Sequence, residues 1–213
     1  MTTDAPVLEP VDPATLTAVF GGRVELARRF AGHLATSGVE RGLIGPREVP
    51  RLWTRHVLNC AVLGELVPTG ATVIDVGSGA GLPGLALAIA RPDLVVTLVE
   101  PLERRTTWLD EVVEDLGLVV RVVRARAEEV AGRERAQVVT ARAVAALDKL
   151  APWTLPLVEP GGAVLAIKGR SAADELHAAR RDLRRAGVVE ESVLTCGGAV
   201  LEVPTTVVRL RTA

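Results

Sequence analysis

Hydrophobic and polar positions alternate along the chain with two periods, and the period changes at Pro68. Before Pro68, apolar residues recur at helical spacing in three stretches, residues 16–20, 24–35 and 47–66. After Pro68, short β-branched runs alternate with amphipathic stretches. The pattern predicts an N-terminal helical portion over residues 1–66, followed by an α/β core over residues 67–213 that forms one compact unit.

Within the core, the pattern predicts strands separated by helices. The predicted strands are residues 72–76, 95–99, 119–123, 137–141, 163–167, 188–194 and 205–211. The predicted helices are residues 82–90, 103–116, 147–157 and 172–186. Strands separated by helices of this length form a mostly parallel sheet that is covered on both faces. The last two strands have only a turn at Gly197 and Gly198 between them, which predicts a C-terminal antiparallel pair.

The first predicted strand leads into the strongest chemical signal in the chain. Its β-branched run stops near Asp75, and four glycines follow at short spacing, Gly77, Gly79, Gly81 and Gly84. Glycine is needed where the backbone takes positive φ or where a ligand approaches it closely. An ordinary turn needs one or two glycines, so four of them favour a ligand-binding turn over a packing turn.

These glycines fit two ligand-binding patterns. Read from Gly79 to Gly84, they match the G-x-G-x-x-G turn that binds a dinucleotide, with Glu100 near the position of a ribose-binding acid. That pattern would indicate a nicotinamide-dependent oxidoreductase. Read from Asp75 to Gly81, they resemble motif I of the class I S-adenosylmethionine-dependent methyltransferases, a Rossmann-like fold. The acid at the strand end and the terminal antiparallel pair favour the methyltransferase fold.

Polar residues lie at the ends of several predicted strands, where ligands of such sheets bind. Glu100 can accept hydrogen bonds from both hydroxyls of a ribose, or it can lie beside the N-terminus of the next helix. Ala127 and Glu128 lie where this fold usually holds adenine, although Glu128 also fits the first turn of a helix. Arg142 and Lys168 end two further strands, and two cations at one cleft suit an anionic or nucleic-acid substrate.

Composition narrows the class of protein. The chain has 213 residues, of which 48% are hydrophobic, so it can fill the core of one domain. Its net charge of −1 argues against tight binding to arbitrary RNA. Cys60 and Cys196 stand apart from other ligand residues, so we expect reduced thiols and no metal site.

The N-terminal residues show no secretory signal, and no uncharged apolar run is long enough to cross a bilayer. We therefore expect a cytoplasmic protein with no membrane partner. No extended apolar heptad indicates an obligate partner helix, so we expect a monomer.

Taken together, the residues resemble one family. The shared features, in order, are Arg55-His56 with Asn59, motif I extended by Leu82-Pro83-Gly84, Arg91-Pro92, Arg104-Arg105, Ala127-Glu128, Arg142-Ala143 and Lys168-Gly169. Over about residues 47–211 the chain is similar to the 16S ribosomal RNA guanine-N7 methyltransferases, also called glucose-inhibited division protein B. It departs from that family at Asn59, where aspartate is usual, and at Glu100, where aspartate is frequent.

The resemblance implies S-adenosylmethionine as cofactor and methylation of guanine N7 in the 530 loop of 16S rRNA, within the 30S subunit or its precursor. It places the cofactor contacts on Gly77, Leu82, Ala127, Glu128 and Arg142, with Glu100 at the acidic ribose position. The motif I pattern adds Asp75, Gly79 and Gly81 to the predicted cofactor site. Arg142, Lys168 and His56 are candidates for positioning the substrate, although a lone histidine is usually a packing or solvated residue. We name no general base, because N7 loses no proton on methylation. The alternatives are a methyltransferase acting on another RNA or a small molecule, or the oxidoreductase.

Overall fold

The computed structural model describes residues 8–213, in which seven strands form a single sheet. The strands are β1 Thr72–Val76, β2 Val95–Val99, β3 Val120–Val123, β4 Ala136–Arg142, β5 Val158–Lys168, β6 Val188–Cys196 and β7 Thr205–Thr212. Their order across the sheet is β3-β2-β1-β4-β5-β7-β6. The strands β1 to β5 are parallel, whereas β7 is antiparallel to both β5 and β6. The predicted mostly parallel α/β sheet with an antiparallel C-terminal pair is confirmed.

Helices cover both faces of this sheet. They are α1 Pro13–Phe20, α2 Val24–Ala35, α3 Ser37–Glu40, α4 Leu58–Ala61, α5 Gly84–Ala90, α6 Glu103–Leu116, α7 Ala127–Val130, α8 Leu147–Thr154 and α9 Ala172–Arg185. The helix α1 begins earlier than its apolar pattern predicts, because Asp12 accepts the Ala14 N–H and Pro13 fits the first turn. Within residues 8–213, no helix has the length and apolar composition that crossing a membrane requires.

The predicted helical stretch over residues 47–66 is helical but not continuous. It consists of 3-10 turns at Pro46–Arg51 and Val62–Leu66, a π-helical turn at Trp53–Val57, and the short helix α4 between them. Pro50 has no N–H to donate, so an unbroken α-helix cannot pass through it. The wide π-helical turn carries Arg55 and His56.

The N-terminal helices share a hydrophobic cluster with the core. Phe30 and Leu34 of α2 belong to the same buried cluster as Leu85 of α5 and Trp108 of α6. The Trp108 indole donates a hydrogen bond to Ser37 Oγ at 2.9 Å. A second cluster fills the opposite face of the sheet, beneath α7, α8 and α9. The N-terminal helices are therefore fixed against one face of the sheet.

Candidate functional site

The turn after β1 depends on glycine conformation. Gly77, Gly79 and Gly81 have φ angles of 67°, 55° and 75°, which a residue with a Cβ adopts only at a cost. The Gly77 N–H donates to the Val99 carbonyl at 2.8 Å, which ties the start of the turn to the end of β2. The turn therefore opens beside the end of β2, at the carboxyl edge of the parallel strands.

Two glycines of this segment are required by packing. A Cβ on Gly81 would lie 2.5 Å from Leu85 Cδ1, and a Cβ on Gly84 would overlap Leu98 Cδ2 and lie 2.8 Å from Asp75 Oδ2. These two glycines therefore allow the turn and α5 to pack against the sheet. Packing alone explains Gly81 and Gly84, so these two glycines do not by themselves indicate a ligand site.

The other two glycines face outward from this packing. A Cβ on Gly79 would have only the Gly77 carbonyl oxygen within 4 Å, at 3.8 Å. A Cβ on Gly77 would lie 3.0 Å from Val144 Cγ2, which belongs to the loop after β4. The turn is therefore open to a ligand at Gly79, whereas Val144 packs against Gly77. Leu82, at the end of the turn, is buried.

Asp75 lies beneath the turn and is completely buried. Its Oδ2 accepts the Gly84 N–H at 3.0 Å, and its Oδ1 accepts the Thr140 hydroxyl at 3.1 Å. Burial raises the pKa of Asp75 to about 7, although these hydrogen bonds oppose the increase. The carboxyl group thus joins the start of α5 to β4.

Glu100 follows β2 and is almost completely buried. One carboxylate oxygen, Oε2, accepts the Gly79 N–H at 3.0 Å, and the other accepts the Leu102 N–H at 3.1 Å, at the N-terminus of α6. Glu100 therefore contacts the N-terminus of α6, as one of its two predicted roles requires, and ribose binding stays a prediction. Arg105 Nη1 lies 3.4 Å from Oε2, and the buried Arg105 Nε has no partner among residues 8–213.

The predicted adenine region lies one strand further along the same edge. Ala127 and Glu128 begin the short helix α7, which follows β3. Ala127 is buried, whereas Glu128 is exposed in the first turn. The edge formed by β1, β2 and β3 therefore presents the glycine turn, Glu100 and Glu128 in spatial order.

Arg142 ends β4, and the segment before the sheet surrounds its guanidinium group. Nη1 donates to Cys60 Sγ at 2.9 Å and to the His56 carbonyl at 3.5 Å. Nη2 donates to His56 Nδ1 at 2.8 Å and to the Arg55 carbonyl at 3.1 Å. Both terminal nitrogens are thus engaged by the chain itself, and Arg142 fixes the π-helical turn to the sheet.

His56 is held between Arg142 and Glu48. Because a guanidinium group can only donate, His56 Nδ1 accepts, and Nε2 carries the proton that is donated to Glu48 Oε2 at 2.8 Å. Burial lowers the pKa of His56, and the Arg142 charge lowers it further, against the raising effect of Glu48. His56 is therefore neutral near pH 7, with both ring nitrogens engaged. Glu48 also pairs with Arg51 at 2.7 Å and with Arg55 at 3.1 Å.

Lys168, at the end of β5, is likewise held by its own chain. Its Nζ donates to the Ala145 carbonyl at 2.6 Å and to Glu175 Oε2 at 2.8 Å, and its side chain is only 10% exposed. The hydrogen bond from Lys168 lowers the pKa of Glu175, which favours the ionised carboxylate. Lys168 therefore connects the loop after β4 to α9.

A cleft of about 730 Å³ opens beyond the ends of β4 and β5, within the size range of ligand sites. Its charged lining residues are Arg51, Arg55, Arg142, Lys168, Arg170 and Glu202. Five cations against one carboxylate contrast with the net charge of −1 of the whole chain. Arg142 and Lys168 thus lie at one cleft, as their positions at strand ends predict, whereas no sequence pattern distinguishes Glu48 or Arg170.

Among residues 8–213, no group of three or more His, Cys, Asp or Glu side chains could hold a metal ion.

Solved structures with the same fold are methyltransferases. The chain superimposes on a methyltransferase from Pyrococcus furiosus with a TM-score of 0.55 and 14% identity, over 71% of this chain and 80% of the other. An S-adenosylmethionine-dependent O-methyltransferase from Thermotoga maritima gives a TM-score of 0.54 and 14% identity, over 73% and 64%. At these identities the likeness concerns the fold, and the predicted class I methyltransferase fold is confirmed.

Sequence relatives are closer. The ribosomal RNA small subunit methyltransferase G of Pseudarthrobacter chlorophenolicus is 63% identical over 193 residues, which cover 90% of this chain and 89% of the relative. The protein of the same name from Mycobacterium marinum is 57% identical over 206 residues, covering 95% and 90%. Residues 23–203 match the family model described as rRNA small subunit methyltransferase G. The predicted family is confirmed, and this chain belongs to the rRNA small subunit methyltransferase G family.

Proposed function

We propose that this chain methylates N7 of a guanine in the 530 loop of 16S rRNA, using S-adenosylmethionine, on the small ribosomal subunit or its precursor. The observation that carries the proposal is that the open glycine turn and the cationic cleft lie at the same edge of one sheet. Membership of the family supports rRNA methylation, and the sequence resemblance implies guanine N7 and the 530 loop as the target. We further propose that the enzyme acts in the cytoplasm as a monomer.

The residues at the ends of β1, β2 and β3 fit S-adenosylmethionine. Gly79 leaves the turn open, Glu100 offers carboxylate oxygens for ribose hydroxyls, and Arg105 Nε is buried without a partner among the described residues. Ala127 and Glu128 would line the adenine side, with Gly77, Gly81 and Leu82 shaping the turn. When bound, the cofactor supplies an electrophilic methyl group on a sulfonium centre.

The chemistry requires positioning rather than proton transfer. Guanine N7 has an in-plane lone pair, so the residues must hold the base at near-attack distance, which can contribute about 7–11 kcal/mol in favourable cases. The engagement of both His56 nitrogens supports a reaction without a general base. Methylation leaves positive charge on the purine, so cations stabilise the complex better at phosphate groups than beside N7.

Methyl transfer to purified small subunits tests the proposal. The protein is incubated with methyl-labelled S-adenosylmethionine and subunits from cells lacking this gene, and nuclease fragments are analysed by mass spectrometry. We expect 7-methylguanosine in one fragment of 16S rRNA that contains the 530 loop. Subunits from cells with the gene serve as the already methylated control, and Glu100→Ala serves as the cofactor-site control.

Two results would contradict the proposal. Label in another base, another RNA or a small molecule would keep the methyltransferase and change its substrate. Calorimetric binding of a nicotinamide dinucleotide in place of S-adenosylmethionine would favour the other interpretation of the glycine turn.

A further inference from the structure

The cationic cleft contains no aromatic side chain among its described lining residues. The whole chain has three Trp, two Phe and no Tyr. Proteins that bind unstacked RNA bases usually cover them with an aromatic ring or with the plane of an arginine guanidinium group. A nucleobase in this cleft would therefore need arginine planes and aliphatic side chains.

Among the cleft cations, Arg170 is the one whose side chain has no partner within the described residues 8–213. The other four cations are engaged by their own chain, Arg142 by residues 55–60, Lys168 by Glu175, and Arg51 and Arg55 by Glu48. Arg170 is exposed, and it makes no hydrogen bond or ion pair through its side chain within residues 8–213. Its planar and weakly hydrated guanidinium group can both pair with phosphate and stack on a base.

Val203 lines the same cleft as Arg170. Lys168 of β5 pairs with Thr206 of β7 in antiparallel register, and Arg170 and Val203 lie two and three residues beyond the two members of this pair. Val203 is 78% exposed, although it belongs to an anchored turn between β6 and β7. Hydrogen bonds from Gly197 N to Glu65 at 3.0 Å and from Asn59 Nδ2 to Thr205 Oγ1 at 2.7 Å hold the two sides of that turn.

We propose that Arg170 and Val203 form a lip that binds an unstacked nucleotide of single-stranded RNA. Arg170 contacts the phosphate or covers one face of the base, and Val203 supplies apolar surface in place of an aromatic ring. A single exposed valine is ordinary on a protein surface, but an exposed valine and an unengaged arginine that line the same cationic cleft match the chemistry of a nucleotide. The inference rests on the proposed function, because it takes rRNA as the substrate.

Direct binding of unmethylated small subunits, measured by filter retention at several salt concentrations, tests the lip. We expect Arg170→Ala to weaken binding about tenfold and to reduce the slope of log affinity against log salt by about 1. Arg170→Lys should restore the salt slope but not the affinity, because an ammonium group has no plane to stack. Val203→Ser should weaken binding, and Val203→Phe should strengthen it.

Two remote variants provide matched controls. Arg181→Ala removes another exposed arginine near the far end of α9, where the side chain is 79% exposed. Val119→Ser removes a valine that is 97% exposed before β3, at the opposite edge of the strands. Both should leave subunit binding unchanged, and thermal unfolding should show that all variants are folded. Affinity for S-adenosylmethionine should be the same in all of them.

The results separate this inference from the proposed function. If Arg170→Ala behaves like Arg181→Ala in affinity and in salt slope, the lip is wrong, even when the wild-type protein forms 7-methylguanosine. If the wild-type protein labels no guanine N7 but binds subunits through Arg170, the lip is upheld and the proposed reaction fails.

Discussion

Two neighbouring regions at the carboxyl edge of the sheet are built in opposite ways. The ends of β1 and β2 carry glycines and the buried carboxyl groups of Asp75 and Glu100, which accept backbone N–H groups from the turn itself. The ends of β4 and β5 carry Arg142 and Lys168, whose partners lie on other elements. In the first region the carboxyl groups bind backbone N–H groups 9 and 21 residues away, whereas Arg142 in the second region depends on residues 82 to 87 positions earlier in the chain. The two regions should therefore fail in different ways when they are mutated.

The largest effect is expected in the glycine turn. Gly84→Ala should lower the free energy of unfolding by roughly 1–3 kcal/mol, because its Cβ would overlap Leu98 and crowd Asp75. The displaced turn should also lose affinity for S-adenosylmethionine. Urea unfolding and calorimetric titration measure the two effects.

Gly169→Ala is the matched control in the cationic region. A Cβ there would meet nothing within 4 Å, so we expect the unfolding free energy to change by less than about 0.5 kcal/mol. If Gly84→Ala and Gly169→Ala are equally stable, the glycine turn is not packed more tightly than the cationic region.

The second effect concerns Arg142. Arg142→Ala should lower the rate of methyl transfer about 100-fold, because the π-helical turn loses its connection to β4 and the substrate is misplaced. Arg142→Lys should not restore the rate, since one ammonium group cannot reach Cys60, His56 and the Arg55 carbonyl together. Single-turnover rates and S-adenosylmethionine titration would show whether the loss lies in the reaction or in cofactor binding. An unchanged rate would remove Arg142 from the site.

The same contrast explains what the sequence could predict. The glycine turn, Glu100 at the end of β2 and six strands follow from local patterns, and the strand ends lie within two residues of the predicted ones. The strand β5 begins at Val158, five residues before its predicted start. The number of glycines is a weaker sign of a ligand-binding turn than the sequence analysis assumes. Gly81 and Gly84 are needed because Leu85, Leu98 and Asp75 pack against them, and no local pattern reveals those neighbours.

The cationic region was only partly predictable. Arg142 and Lys168 could be placed at one cleft, because both end parallel strands. The contacts of Arg142 with His56 and of Lys168 with Glu175 could not be predicted from the sequence, because they depend on how the π-helical turn and α9 pack. Glu48 and Arg170 carry no sequence signal beyond one acid and one arginine among many, and only the folded chain separates them from the rest.

The third effect is a pH dependence of stability in the glycine region. The pKa of Asp75 rises from an ordinary value of 3.8 to about 7, so the folded chain keeps a proton that the unfolded chain has lost across this window. The free energy of unfolding should therefore fall as pH rises from about 4 to about 7, by an amount on the order of 4 kcal/mol. Urea unfolding at intervals between pH 5 and pH 8 measures this slope.

Asp75→Asn should flatten that slope. The amide can accept the Gly84 N–H with its oxygen and donate to Thr140 Oγ1 with its nitrogen, and it does not ionise. We expect the variant to be at least as stable as the wild-type chain at pH 8. Glu128→Gln, at an exposed acid of the same region, should keep the wild-type slope. A slope that persists in Asp75→Asn would show that another group titrates.

The smallest effect has the opposite sign and belongs to the cationic region. The pKa of His56 is lowered from its ordinary value of 6.5, so its contribution to stability is present at neutral pH and is lost as pH falls from 6.5 through the folded-state pKa. Protonation also replaces the Nδ1 acceptor by an N–H that points at Arg142. Methyl transfer should therefore decline a few-fold on the acid side of its pH profile.

Substitutions at His56 and Glu48 test whether the titration of His56 causes the fall in methyl transfer at low pH. His56→Asn places an oxygen near the Nδ1 position that accepts from Arg142 without titrating, so the decline should disappear while most of the activity remains. Glu48→Gln removes a charge that raises the pKa of His56, so the decline should move to lower pH. His177→Asn, at an exposed histidine on α9, should leave the profile unchanged. If His56→Asn keeps the wild-type profile, another group causes the acid decline, and the opposed pH responses of the two regions do not both arise from the groups named here.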